Sequence, residues 1–199
     1  QRPSDFFIAQ SGLVGSDQAR NPSHQAMFST AQSSYQLGSD NELIIDFRWT
    51  SNDGVTVTKR FTFYRGQHSF KLEHLIDNAS DSQWSGREYR QIHRGQPADE
   101  GSIFMYTYTG GAVYSEQDKY QKFNIEELGA GELDRDVANG WIAMIQHYFL
   151  AAFIPPRDES HHFYGKRLSN GRGVIGSYSP VLNVEPGQQG GFEGTVFIG

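Results

Sequence analysis

The segment that decides the fold is residues 140–156, GWIAMIQHYFLAAFIPP, the most apolar run of the chain. A helix that crosses a bilayer core needs about 20 consecutive apolar residues. This run is shorter, is interrupted by Gln146 and His147, and stops at two prolines. Apolar content alone fits a helix or a strand. The glycine before the run, the prolines after it and its aromatic side chains favour one or two buried strands of a soluble domain over 141–154.

The composition predicts a β-rich domain. Of the 199 residues, 37% are hydrophobic, 14% are aromatic and 22 are glycine, a balance typical of strands and tight turns. The net charge of −6 argues against binding to nucleic acid or to anionic lipid headgroups, since both require a basic face. The chain has no cysteine, so thiol catalysis, thiolate metal sites and disulfides are excluded. The length fits a single domain over residues 1–199.

The first half of the chain carries the clearest strand pattern. Apolar and polar side chains alternate in three consecutive runs, over 43–49, 55–64 and 70–76. The runs are separated by the turn sequences NDG at 52–54 and RG at 65–66, whose residues tolerate a positive φ. A period of two that continues through three runs predicts an antiparallel meander with one buried face.

Shorter patterns complete a chain made mainly of strands. No unit of 20 to 50 residues repeats, which disfavours solenoids and propellers, so many short strands separated by turns predict a two-sheet antiparallel β-sandwich with little helix. Gly110 and Gly111 are expected to interrupt the strand pattern before residues 112–115. Residues 80–90 are polar without a clear pattern. Further strands are expected over 5–14, 33–37, 102–108, 112–115, 163–168, 174–178, 181–184 and 191–198, with a surface loop over 15–24, turns at 170–171 and 186–187, and a short helix near 125–128.

Three patterns that resemble chemical motifs favour structural roles. The sequence GRGVIG at 171–176 fits a dinucleotide-binding pattern, but Pro180 forbids the helix that must follow, so we interpret it as a hairpin turn. Residues 158–162, DESHH, hold possible metal ligands, yet adjacent histidines in a strand point to opposite sides, and a solvated loop is preferred. His74 and His147 are expected to be buried structural histidines rather than general bases. No catalytic residue, metal or cofactor is therefore predicted.

Residues 116–136 carry most of the negative charge, with seven acids and three bases. A solvated acidic face is the default interpretation, because the calcium-loop spacing is absent and the sequence brings no two carboxylates to a working separation. Aromatic side chains interleaved with both signs of charge are also typical of protein interfaces. On that ground we predict a partner-binding surface made of Tyr114, Glu116, Asp118, Lys119, Tyr120, Lys122 and Phe123.

A set of short segments follows a fixed order along nearly the whole chain. They are AQSGL at 9–13, KRFTF at 59–63 followed by RG at 65–66, GGAVYS at 110–115, GWIAMIQHYFLAAFIP at 140–155, PVL at 180–182 and PGQ at 186–188. In this order they resemble the large periplasmic domain of the YidC family of bacterial membrane protein insertases. None of these motifs is catalytic, and the specificity of the resemblance comes from the order of the segments.

The resemblance implies a twisted super-sandwich of two sheets, similar to galactose mutarotases, at the periplasmic face of the inner membrane. It also implies that the chain is a fragment without the flanking transmembrane helices, which in that family carry out insertion and meet the nascent membrane proteins. The domain would be a non-enzymatic accessory: a spacer, a chaperone-like platform, or a docking surface for the Sec translocon subunits SecF and SecD. A carbohydrate-binding or mutarotase-like β-sandwich is the alternative, with Trp49, Trp84 and Trp141 as possible stacking residues, of which only Trp84 is expected in a loop.

Overall fold

A computed structural model describes residues 6–95, 108–146 and 148–199. The strand expected over 102–108 lies outside the described residues except for its last position, and His147 also lies outside them. The described chain is built almost entirely of strands, with one five-residue α-helix, α1, and a short 3-10 helix at Gln18–Arg20. Across the described ranges, no helix combines the length and the apolar character that a bilayer crossing requires.

The elements follow one another in a simple order, with α1 at Ile125–Gly129 between β8 and β9. The strands are β1 (Phe7–Val14), β2 (Ser29–Thr30), β3 (Glu42–Thr50), β4 (Val55–Tyr64), β5 (Ser69–Asn78), β6 (Trp84–Arg94), β7 (Thr109–Ser115), β8 (Lys119–Phe123), β9 (Asp134–Ala138), β10 (Trp141–Gln146), β11 (Phe149–Ile154), β12 (Ser160–Arg167), β13 (Gly173–Tyr178), β14 (Leu182–Val184) and β15 (Gln189–Ile198).

The strands form two sheets. One has the order β1-β6-β13-β12-β9, with β14 beside β6, and the other has the order β2-β3-β4-β5-β15-β11-β10-β7-β8. Neighbouring strands such as β3–β4, β4–β5, β7–β10, β10–β11 and β12–β13 pair antiparallel. The fold is therefore mainly β with two antiparallel sheets, as the sequence predicts.

The chain divides into two compact units. Unit 1 comprises Gln1–Gln10, Arg90–Tyr178 and Phe197–Gly199, and unit 2 comprises Ser11–Tyr89 and Ser179–Val196.

In unit 1, strand β13 contacts β7 and β10 of the other sheet, so two layers face each other across a core. Helix α1 packs on β12 and β13. The helix begins with a capping box, in which the Asn124 side chain accepts from the Glu127 amide and the Glu127 carboxylate accepts from the Asn124 amide. Gly165 lets the helix approach β12, because a Cβ there would lie 2.6 Å from Leu128 Cδ2.

In unit 2, residues from both sheets meet in a second core. The buried cluster consists of Leu13, Val55, Val57, Ile76, Trp84 and Val184, with Phe28, Trp49, Leu182 and Phe192 packed around it. Trp84 is completely buried, and its indole N–H donates to the Arg20 carbonyl at 3.0 Å. Each unit therefore has the two-layer organisation of a β-sandwich.

Most predicted elements are confirmed. The meander forms β3, β4 and β5, and its turns place Gly54 and Gly66 at φ values of 101° and 72°. The apolar run forms the hairpin β10–β11, the helix near 125–128 is α1, and the strands expected after residue 160 are β12 to β15. Gly171 and Gly187 occupy turns with positive φ, as their sequence context predicts.

Two local predictions are wrong, and one segment without a prediction forms a strand. Residues 33–37 form no strand, and the Tyr35 hydroxyl instead bonds to the Thr30 side chain at 2.5 Å. Residues 80–90, which show no pattern in the sequence, contain most of β6, because polar residues such as Glu88 are buried there with polar partners. Gly110 and Gly111 do not break the chain but belong to β7, where the Tyr108 hydroxyl and the Phe123 carbonyl occupy the space of a Gly110 Cβ.

Candidate interaction surface on the β7–β8 hairpin

The hairpin β7–β8 brings the predicted partner-binding residues together. Tyr114 lies opposite Tyr120, and Ser115 lies opposite Lys119. The turn is tight, since the Ser115 hydroxyl accepts from the Asp118 amide at 2.9 Å and Lys119 has a φ of 60°. Strand β8 is the last strand in the order of its sheet, so this hairpin lies at a sheet end.

Three aromatic rings form a row across β8, β7 and β10. Trp141 is the direct cross-strand partner of Tyr114, which in turn faces Tyr120. The rings of Tyr114 and Trp141 are nearly parallel, with centroids 6.0 Å apart, and the Tyr120 ring lies 6.1 Å from that of Trp141. Tyr120 is 48% exposed, whereas Tyr114 and Trp141 are half-buried. The row therefore presents a supported aromatic surface to solvent.

Charged side chains surround this aromatic row. Glu116, Asp118, Lys119 and Lys122 are all exposed. The Lys122 ammonium lies 4.6 Å from the centre of the Tyr108 ring, which is the geometry of a cation–π contact. Asp118 lies 3.6 Å from the Arg135 guanidinium, a loose ion pair at the surface. Both signs of charge thus remain available around the rings.

Phe123 takes a different place from the other predicted residues. It is only 7% exposed, and its carbonyl abuts Gly110 of β7. Phe123 lies at the end of β8 that leads into α1, where it anchors the hairpin to the core of unit 1. The accessible surface therefore consists of Tyr114, Tyr120, Trp141 and the four charged residues. Trp141 is absent from the predicted set because its sequence neighbours suggest burial only.

His74, a weak catalytic candidate in the sequence, has no access to solvent. Its Nδ1 lies 2.7 Å from a carboxylate oxygen of Glu88, and the two side chains are 0% and 2% exposed. The pair joins β5 to β6 inside unit 2. A His–carboxylate pair can transfer protons only to a substrate that reaches it. The burial of both side chains therefore makes this pair a structural contact in the described conformation.

The DESHH segment is partly a strand rather than a loop, because its last three residues begin β12. His161 is buried and lies 3.2 Å from Glu159, whereas His162 points the other way, between Asp134 at 2.7 Å and Asp136 at 2.9 Å. The opposite orientation of the two histidines agrees with the prediction. Among the described residues, no cluster of histidines and carboxylates has the arrangement of a metal site.

The glycine-rich sequence at 171–176 forms a turn and the start of a strand. Gly171 adopts a φ of 81° in the turn, and Gly173 begins β13. A phosphate cradle of this type requires a helix to begin at the last glycine. The strand in that place confirms the hairpin interpretation.

A polar cluster in unit 2 has no counterpart among the sequence predictions. The Tyr89 hydroxyl accepts from the His24 amide at 2.9 Å and lies 2.6 Å from His24 Nδ1, to which it can donate when the ring is neutral. Burial, and to a smaller extent the nearby Lys59 ammonium, lower the pKa of His24 below its usual value. Lys59 itself donates to the Ser11 carbonyl at 2.8 Å. His24 and Tyr89 are 65 positions apart, so no local pattern could join them.

The tryptophans are placed differently from the sequence prediction in one case. Trp84, expected in a loop, is fully buried on β6 because its ring fills the core of unit 2. Trp49 packs against the same core, as expected for its strand face. Trp141 is therefore the tryptophan that borders the aromatic surface.

Comparisons with known proteins agree on one family. The family model for the YidC periplasmic domain matches residues 1–199. The chain is 39% identical over 198 residues to the membrane protein insertase YidC of Methylococcus capsulatus, covering 98% of this chain and 36% of that protein. It is 37% identical over 203 residues to the membrane protein insertase YidC of Thioalkalivibrio sulfidiphilus, covering 97% of this chain and 36% of the relative.

Solved structures with a similar fold include carbohydrate enzymes, although their sequences are distant. The galactose mutarotase related enzyme of Lactobacillus acidophilus aligns with a TM-score of 0.56 at 8% identity, over 88% of this chain and 72% of that one. The α-galactosidase of Lactobacillus brevis also has a TM-score of 0.56 at 8% identity, over 98% of this chain and 26% of that one. These similarities concern the β-sandwich fold alone. The chain spans about a third of the length of the curated relatives that it matches, and it belongs to the YidC periplasmic domain family.

Proposed function

We propose that this chain is the non-catalytic periplasmic domain of a membrane protein insertase, and that it is a docking surface for Sec translocon subunits such as SecF and SecD. The relatives are insertases, and the matching family is their periplasmic domain. In this proposal the domain lies at the periplasmic face of the inner membrane. Nascent membrane proteins contact the membrane part of the insertase in this proposal.

The aromatic row on β8, β7 and β10 is the observation that supports a docking role. Interfaces favour aromatic anchors that are already rigid, with charged residues at the rim. Tyr120 is exposed but supported by two half-buried rings, so its binding costs little side-chain entropy. Among the described residues, the side chains of Glu116 and Lys119 form no hydrogen bond or ion pair, and they can pair with charges of a partner.

A mutarotase-like enzyme is the less favoured function. That chemistry requires a histidine and a carboxylate in an open cleft. The His74–Glu88 pair is closed to solvent, and His162 is already held by Asp134 and Asp136. The similarity to sugar enzymes is a similarity of fold and carries no activity to this chain.

A binding experiment with matched tyrosine variants tests the proposal. The chain is immobilised and titrated with purified SecD–SecF, and Tyr120→Ala is compared with Tyr148→Ala. Tyr148 is a suitable control because it is 84% exposed and precedes β11, away from the aromatic row.

We expect Tyr120→Ala to weaken binding by at least tenfold and Tyr148→Ala to leave it unchanged. A loss of about 1.4 kcal/mol corresponds to a tenfold change in the dissociation constant. The loss of affinity caused by Lys119→Glu is expected to be larger at low salt than at high salt, because salt screens the charge contribution to binding. Equal affinities of all variants, or no binding by the unmodified chain, contradict the proposal.

A further inference from the structure

A concave trough lies on one face of the meander in unit 2. It has a volume of 440 Å³, within the range of small-molecule sites. Its lining includes Arg48 of β3, Thr56 and Thr58 of β4, Leu75 and Asp77 of β5, and Gln189 of β15. These side chains alternate with the core residues Val55, Val57 and Ile76, so the trough opens on the face opposite the buried cluster.

The charged groups of this face are paired in one half and unpaired in the other. Asp46, Arg60 and Glu73 lie side by side across β3, β4 and β5. The Arg60 guanidinium binds Asp46 through two hydrogen bonds of 2.7 and 2.8 Å. Lys71 bridges Glu73 at 3.0 Å and Glu193 at 2.7 Å. The charged groups in this half of the face are therefore paired with one another within the sheet.

The next positions along the same strands form the trough, and there the pairing stops. Among the described residues, the side chains of Arg48, Asp77, Thr58 and Gln189 have no hydrogen bond or ion pair. Arg48 and Asp77 lie on opposite sides of β4 and are offset by two residues, since Arg48 faces Thr58 whereas Asp77 faces Thr56. Their Cα atoms are therefore roughly 12 Å apart across the sheet. A ligand that fits between these two side chains can accept a hydrogen bond from the Arg48 guanidinium and donate one to the Asp77 carboxylate at the same time.

The chemistry of the lining selects among ligand classes. A compact anion is disfavoured, because Arg48 already interacts electrostatically with Asp46 and shares the trough with a second carboxylate, Asp77. An apolar ligand is disfavoured, because it would leave a guanidinium, a carboxylate and an amide without partners. A neutral ring with several hydroxyls satisfies donors and acceptors together, and Leu75 gives it an apolar contact. We propose that this trough, formed by Arg48, Thr58, Leu75, Asp77 and Gln189, is a binding site for a neutral saccharide.

This inference does not depend on the docking surface of β7 and β8. The trough residues belong to unit 2, and the aromatic row belongs to unit 1. The loss of translocon binding and the loss of saccharide binding are therefore separate observations.

Titration of the chain with neutral sugars tests the proposal. Glucose, galactose and N-acetylglucosamine are titrated by calorimetry and by backbone amide shifts, and inorganic phosphate is the anionic comparison. Arg48→Gln and Asp77→Asn remove one charged group each. Arg157→Gln and Glu132→Gln are matched controls, since they make the same charge changes at exposed positions outside the trough.

We expect saturable millimolar or tighter binding of at least one sugar. Arg48→Gln and Asp77→Asn are each expected to weaken it tenfold or more, while both controls bind like the unmodified chain. Amide shifts on β4 and β5 identify the site even if a variant folds poorly. The absence of saturable binding, binding that the trough variants leave unchanged, or binding of phosphate alone each overturns the proposal.

Discussion

The structural role of the buried His74–Glu88 pair can be tested directly by removing one partner. Both side chains are closed to solvent and lie 2.7 Å apart. Breaking a buried polar pair by removing one partner typically costs about 3 to 5 kcal/mol, because the other group stays buried without compensation. Glu88→Leu is therefore expected to lower the free energy of unfolding by about 3 to 5 kcal/mol. Replacing both partners, in His74→Phe/Glu88→Leu, removes the uncompensated group and is expected to restore most of that loss.

Urea denaturation followed by fluorescence measures this effect. The slope for urea is about 1 to 3 kcal/mol per molar in small proteins and rises with size, so a value near 3 is expected here, and the midpoint of Glu88→Leu is expected to fall by roughly 1 to 2 M. Glu132→Leu, at an exposed position, is the control and is expected to stay within about 0.5 kcal/mol of the unmodified chain. A loss below about 1 kcal/mol for Glu88→Leu, or a double variant as unstable as the sum of both single ones, would refute the reasoning.

Three further predictions concern other contacts. The depressed pKa of His24 means that the unfolded chain binds more protons than the folded one below pH 6.5. The contribution of His24 to the free energy of unfolding is therefore complete above that pH and is lost as the pH falls towards the pKa of the folded state. Urea midpoints at pH 7.5 and 5.5 measure this loss. His24→Gln is expected to reduce the difference between the two midpoints. Arg20→Ala removes the hydrogen bonds of 2.9, 2.5 and 3.1 Å that the guanidinium donates to the Gln83 carbonyl, the Ser80 hydroxyl and the Ser82 carbonyl. The free energy of unfolding in urea is expected to fall by about 2 kcal/mol, and Arg20→Lys is expected to recover only part of it. Gly165→Ala places a methyl group against Leu128 and should cost about 1 to 3 kcal/mol in thermal unfolding; unchanged stability would show that α1 can move away.

The meander could be predicted from sequence because one of its faces carries apolar side chains at alternate positions, of which several are fully buried. Val55, Val57 and Ile76 fall at the alternate positions that a half-buried strand requires. Strand β6 could not be predicted, because Glu88 and Arg90 are buried as well. A hydrophobicity pattern treats such residues as exposed, and their partners come from distant strands.

The candidate surfaces show the same limit. The aromatic and charged residues of the β7–β8 hairpin are close in sequence, so their proximity was predictable. Trp141 completes the row only through strand pairing with Tyr114. The predicted meander already contains Arg48 and Asp77, but Gln189 comes from β15, whose position beside β5 no local pattern indicates, so the trough as a whole could not be predicted.

The apolar run explains how the fold and the candidate docking surface depend on each other. One face of β10 buries Ile142 and Met144 completely. The opposite face is apolar too, because Ala143 packs with Ala112 and is bordered by Trp141. A strand with two apolar faces is more hydrophobic than one core requires. The second apolar face of β10 supports the aromatic row. Trp141→Ala is therefore expected to reduce partner binding through Tyr120, while the core contacts of Ile142 and Met144 remain.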